Sequence, residues 1–128
     1  MINTYLHLNS RDEFLRIDLS KVVYFESEGN YTNIMLCNSV NTTVCMNLTQ
    51  MQNLLSENLK ENARIFARVG KRHIINLNFV YQVSVLRQKL QLTDGLHFSF
   101  NLDISKEALK KLKDLYVKSA TRINNKCE

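Results

Sequence analysis

Short apolar runs, each closed by turn-forming residues, limit this fold more than any other feature of the chain. "FLRIDL" alternates Leu15, Ile17 and Leu19 with Arg16 and Asp18, the period-two pattern of a half-buried strand. "VVYF" and "IMLC" are β-branched or aromatic runs on either side of "ESEGNYTN", a segment rich in turn formers. "NSVN" then divides "IMLC" from "TTVCM" as a hairpin would. Beyond it, "IFARV", "HIIN", "VYQVSVL", "KLQLT" and "LHFSFNL" continue the pattern. Arg87-Gln88 and Asp94-Gly95 fall at turn positions, and Asp-Gly is a strong hairpin signal. Leu96, Phe98, Phe100 and Leu102 alternate, which predicts that they share one inward face and that His97 lies on the other. The fold class expected from these runs is mainly β.

Two stretches break the pattern with helical spacing. In "NLTQMQNLLSENL", Asn47 and Gln50 form a plausible N-cap pair, followed by Met51, Leu54, Leu55 and Leu59 as a core face. In "SKEALKKLKDLYVKSA", Ser105 caps and Glu107 sits in the first turn. Ala108, Leu109, Leu112, Leu115 and Tyr116 form the apolar stripe, and Lys110, Lys111, Lys113 and Lys118 lie away from it as a solvated face.

With 128 residues the chain is long enough for one domain with a real core and too short for two. It has no proline, three glycines, no repeat and no flexible linker. No apolar run approaches the length of a membrane span, and the N-terminus shows no secretory pattern, so the expected compartment is the cytoplasm. Cys37, Cys45 and Cys127 form no Cys-x-x-Cys pair and have no histidine at ligand spacing. They read as reduced structural cysteines. Cys37 near the "NSVN" turn and Cys45 further out would not face each other, which argues against a redox pair.

The chemistry of most enzyme classes is missing. No glycine-rich phosphate loop, zinc cluster or Gly-x-Ser-x-Gly elbow is present. Glu26 and Glu28, two apart, would share a strand face, but no nucleophile accompanies them, and turn and strand-end roles explain them better. No cofactor, metal, membrane or small-molecule substrate is expected, and no enzymatic activity.

Charge points elsewhere. Residues 1–58 carry a net −3 and residues 59–128 a net +8, a split that suggests one face able to attract a polyanion. "FARVGKRHIIN" places Arg68, Lys71, Arg72 and His73 around Gly70, between two strand-like runs. A turn at Gly70 would let several of these side chains converge. The arginine fork matches a guanine edge or a phosphate, and lysine offers a point charge to phosphate. A second cluster, "EGNYTN", presents Asn30, Thr32 and Asn33 around Tyr31. Asparagine can pair bidentately with adenine, and threonine can touch a thymine methyl.

In this order, "VVYFESEGNYTNIML", "FARVGKRHIINLNFVYQV", "KLQLTDG" and "ISKEALKKL" resemble the LytTR family of bacterial DNA-binding domains, from about Val22 to Leu115. The matching features are Glu26-Ser27, Gly29-Asn30-Tyr31, Phe66 with Arg68, Ile75-Asn76, Asp94-Gly95 and Ser105-Lys106. The resemblance implies about ten strands in three small antiparallel sheets, with a short mid-chain helix and a C-terminal helix. It also implies DNA contact through loops rather than a recognition helix. Carried onto this chain, those contacts fall on Thr32 with Asn33, on Lys71 with Arg72, and on Lys106. Where the family commonly has Arg-x-His-Arg-Ser, this chain has Arg68, Val69, Gly70, Lys71 and Arg72.

The expected organisation is an N-terminal strand region over 1–21 and a LytTR-like domain over 22–118, forming one structural domain of 1–118, with a frayed tail over 119–128. Because only about twenty residues precede the match, the chain is expected to act without a receiver domain. The expected function is a sequence-specific bacterial transcriptional regulator. It would contact double-stranded DNA through Asn30, Thr32, Asn33, Arg68, Lys71, Arg72, His73 and Lys106, as a homodimer if its sites are paired half-sites. The alternative is a protein–protein adaptor on the same fold that modulates another regulator. RNA binding would need several exposed aromatics for base stacking, and Tyr31 is the only one in a candidate contact loop.

Overall fold

A computed structural model describes residues 5–123. The short runs do form strands. β1 (Tyr5–Asn9) and β2 (Phe14–Asp18) make a two-stranded hairpin. β3 (Val22–Glu28), β4 (Tyr31–Leu36), β5 (Asn41–Val44), β6 (Phe66–Val69) and β7 (His73–Asn76) form a five-stranded antiparallel sheet in the order β5-β4-β3-β7-β6. β8 (Val80–Ser84), β9 (Lys89–Thr93) and β10 (Ser99–Asp103) form a three-stranded antiparallel sheet. Helix α1 (Leu48–Leu59) connects β5 to β6, and α2 (Lys106–Val117) follows β10.

The five-stranded sheet is covered on both sides. Phe25, Ile34 and Ile74 point toward α1 and the β1–β2 hairpin, where they pack with Leu6, Ile17, Met51 and Leu55. Tyr24 and Ile75 point the other way, toward Leu90 and Leu92 of the three-stranded sheet and Leu109 and Leu112 of α2. This is why "VVYF" reads as a continuous apolar run: each side of β3 faces a core. A register shift between Val22 and Tyr24 puts Val23 and Tyr24 in the same core and returns Phe25 to the side of Val22.

Both helices start as their sequences predict. Asn47 and Gln50 form a reciprocal capping box, with Asn47 Oδ1 accepting from the Gln50 amide at 2.8 Å and Gln50 Oε1 from the Asn47 amide at 2.9 Å. Ser105 Oγ accepts from the Ala108 amide at 3.3 Å.

Two expectations shift. Leu96 does not join the inward face of Phe98 and Leu102; it is 87% exposed. The Asp94 carboxylate accepts from the Leu96 and His97 amides and from the His97 ring, which wraps residues 94–98 into a loop and delays β10 until Ser99. The apolar stripe of α2 is buried only at Leu109 and Leu112. Leu115 is 59% exposed, and the Tyr116 hydroxyl donates to the Leu77 carbonyl at 2.9 Å. Cys37 sits in the β4–β5 turn and Cys45 lies exposed beyond β5, so the two do not pair. Residues 124–128 of the expected frayed tail, with Cys127, lie outside the described residues.

Leu109 is the fully buried anchor of α2 on the second core. Leu109→Ala is expected to cost about 2–5 kcal/mol, read as a lower urea midpoint with an unchanged m-value.

Candidate nucleic-acid interface

Strand order brings distant parts of the chain to one end of the five-stranded sheet. Val69 pairs with His73, leaving Gly70, Lys71 and Arg72 as the turn between β6 and β7. Gly70 has φ +70°, a left-handed conformation that a glycine adopts without strain. Because β7 pairs with β3, this turn lies beside the end of β3, where the Ser27 amide donates to the Arg72 carbonyl at 2.8 Å. The β3–β4 turn at Gly29-Asn30 is two residues further on, at the same end. On the opposite flank the turn abuts α2: a Cβ built on Gly70 would stand 3.6 Å from Ala108 Cβ.

The basic residues of "FARVGKRHIIN" divide into two kinds. Arg68 is half-buried and committed. Its Nη1 donates to Gln52 Oε1 at 3.0 Å and Thr49 Oγ1 at 3.4 Å, and its Nη2 donates to the Lys71 carbonyl at 2.9 Å. It therefore ties the turn to α1. Its Nε is shielded from solvent and has no partner. Lys71 and Arg72 are exposed at the tip and form no ion pair among the described residues.

A polar row crosses the sheet just beneath the turns. Thr43, Asn33, Glu26 and His73 are successive cross-strand neighbours on β5, β4, β3 and β7. Thr43 Oγ1 donates to Asn33 Oδ1 at 3.5 Å, and His73 Nε2 lies 2.9 Å from Glu26 Oε2. Burial pushes the His73 imidazole below its ordinary pKa; the Glu26 carboxylate pulls it back up, and Arg72 pushes it down again. A neutral ring meets the carboxylate with Nε2–H as donor.

Thr32 and Asn33 are buried, at 0% and 6% exposure, and Thr32 Oγ1 donates to the Met46 carbonyl at 2.7 Å. They stand behind the turn, whereas Asn30 and Tyr31 stand exposed on it. His73 is likewise buried at 5%. Lys106 is exposed but lies on the far flank of α2 from Lys71 and Arg72. It lines a cleft with Arg87, Lys110 and Lys113, whereas Arg68, Lys71, Arg72 and Lys111 line a separate cleft of about 800 Å³ between the β6–β7 turn and α2. Acids also line that second cleft, namely Asp103 and Glu107.

The family model for the LytTr DNA-binding domain matches residues 12–116. The chain belongs to the LytTR family. It is also similar to a solved LytTr DNA-binding domain from Bacillus cereus, whose parent protein is assigned as a methyl-accepting/DNA response regulator. The TM-score is 0.60 at 19% identity, covering 88% of this chain and 95% of that one. No match was found among curated proteins. The expected LytTR-like fold, mainly β with ten strands in three antiparallel sheets and two helices, is the observed one. Among the described residues no helix is long and apolar enough to cross a membrane, and no His/Cys/Asp/Glu group could hold a metal.

Sequence reasoning on this LytTR chain missed the Glu26–His73 pair, because β3 and β7 meet across 47 residues and neither residue signals the other. The cleft formed by Arg87 with the α2 lysines was missed as well; the spacing of Lys106, Lys110 and Lys113 was visible, but their partner strand was not.

Two outcomes follow from this geometry. An unfolded histidine titrates at about 6.5. His73 does so lower in the fold, so the unfolded chain takes up the proton first, and its contribution to stability is present above that value and lost as pH falls through the folded pKa. Urea midpoints of the wild type should drop between neutral pH and pH ~5 more steeply than those of His73→Gln. Arg68→Ala should destabilise the fold by about 1–3 kcal/mol through its lost charge-assisted hydrogen bonds, while Lys71→Ala should stay within about 0.5 kcal/mol of wild type in the same titration.

Proposed function

We infer that this LytTR domain acts in the cytoplasm as a sequence-specific bacterial transcriptional regulator and reads DNA with the turns at the β3–β4 and β6–β7 end of the five-stranded sheet. The observation that carries this reading is the contrast within one turn. Arg68 is spent on holding the turn to α1, and the side chains of Lys71 and Arg72 stand exposed without an ion pair among the described residues. A folded chain gains nothing from two unpaired cations on a tight turn; a phosphate or a guanine edge does.

Roles then follow from position. Arg72 reads a base edge and Lys71 approaches phosphate in the same groove. Asn30, exposed on the neighbouring turn, is the second reader. Thr32, Asn33 and His73 act from behind, fixing the turns through the Met46 carbonyl, Thr43 and Glu26. Arg68 sets the angle at which the β6–β7 turn projects. The turns are positioned by the strands beneath them, which face two cores.

Selection from a randomised duplex pool near physiological salt, with Lys71→Ala/Arg72→Ala as comparison, tests this reading. A recovered motif that the variant loses is expected, and Arg72→Ala alone should lower discrimination at one position by about 1–3 kcal/mol. Salt-sensitive binding with no motif would instead favour an adaptor that works through a protein partner.

A further inference from the structure

The Glu26–His73 pair sits just below the two turns. Glu26 stands opposite His73 across β3 and β7, and in the next rung the Ser27 amide donates to the Arg72 carbonyl at 2.8 Å. Beyond that rung the chain turns at Gly29-Asn30 on one side and at Gly70 to Arg72 on the other. The carboxylate therefore lies behind the side chains assigned to DNA.

An acid in that place opposes the function. A carboxylate behind a phosphate-contacting turn repels the polyanion, and partial burial weakens the screening that water and salt would give. The Glu26 side chain is 26% exposed, and its one ion-pair partner among the described residues is a histidine, not a lysine or an arginine. A fixed cation would cancel the charge at every pH. A histidine cancels it only while it holds a proton.

The other groups around the ring do not take over that role. Arg68, Lys71, Arg72 and Lys111 line the cleft that His73 also lines, but Asp103 of β10 and Glu107 of α2 line it with them. Tyr24 meets the ring edge-on at 6.1 Å. Asn33 faces Glu26 from β4 without charge, and Glu28, exposed two residues further along β3, adds a second acid. Burial lowers the imidazole pKa, Glu26 raises it and Arg72 lowers it. A phosphate seated on the turns adds negative potential and favours the imidazolium.

We propose that DNA binding by this chain is coupled to proton uptake at the Glu26–His73 pair, which makes the pair a pH-sensitive element behind the reading turns. The inference rests on the DNA-binding reading above and supplies its regulation. The unprotonated pair carries the charge of Glu26, and the protonated pair carries none. With DNA bound, the ring holds its proton to higher pH than without it. Affinity is therefore gained as pH falls below neutral and lost as pH rises through the titration of the bound state.

The test uses the full chain and a duplex at constant ionic strength. Wild-type affinity should rise about 3- to 10-fold between pH ~7.5 and pH ~5.5, and calorimetry in buffers of different ionisation enthalpy should show uptake of at most about one proton near pH ~6.5. His73→Gln should abolish the uptake and flatten the profile. Glu26→Gln should bind more tightly than wild type at pH ~7.5, the opposite of the loss expected if the pair only braced the turns. His97→Gln, in the 94–98 loop outside the cleft and the polar row, should keep the wild-type profile. If His73→Gln fails to fold by circular dichroism, the wild-type proton count and Glu26→Gln decide. A flat wild-type profile, no proton uptake, uptake that survives in His73→Gln, or a Glu26→Gln variant that binds no more tightly would each overturn the coupling while leaving the base-reading turns in place. If the wild type binds no duplex at low salt at any of these pH values, the DNA-binding reading falls and this inference with it.

Discussion

Strand β3 is the element on which the rest of the structure depends. It lies in the middle of the five-stranded sheet with β4 on one side and β7 on the other, and it sends side chains into both cores. Phe25 packs edge-on against Phe66 on one side at 5.5 Å, and Tyr24 meets Phe100 on the other at 5.7 Å. A strand clamped this way cannot slip by one residue, because a slip would exchange its two apolar faces and carry Glu26 into the core of α1. The register of β3 therefore decides which turns stand side by side at its end. That is how the β3–β4 turn and the β6–β7 turn, some forty residues apart in the chain, become one surface.

The site is stiff because its polar supports are as specific as its apolar ones. Buried polar groups are costly unless paired, and those near the turns have partners: Thr32 with the Met46 carbonyl, Asn33 with Thr43, and His73 with Glu26. The exception is the Nε of Arg68, which lies at the root of the β6–β7 turn. The other two nitrogens of that guanidinium tie α1 to the turn, so the turn answers to the position of α1 as well as to its own hairpin.

Much of this was legible in the sequence and some was not, and the division is physical. Local signals held. The capping box at Asn47, the cap at Ser105, the "NSVN" turn and the strand-like runs all depend on neighbours within a few residues. Alternation failed at Leu96, because the Asp94 side chain captured the following amides and made a loop where the apolar period continued. Residue chemistry picks out segments for a candidate site but does not tell exposed members from buried ones. Thr32 and Asn33 look like base readers in "EGNYTN", yet a strand begins at Tyr31, and they fall inside the sheet. The Glu26–His73 pair depends on strand order, which no local pattern encodes.

The placement of α2 then separates two kinds of basic surface that the sequence presents as one lysine-rich helix. Its apolar residues Leu109 and Leu112 fix its rotation over the second core. With the rotation fixed, Lys111 falls toward the β6–β7 turn with Glu107 and Asp103, where positive charge is partly balanced. Lys106, Lys110 and Lys113 fall toward Arg87, where it is not. Two buried leucines thus set which lysines stand beside acids and which stand beside Arg87, among side chains that would be interchangeable on a free helix.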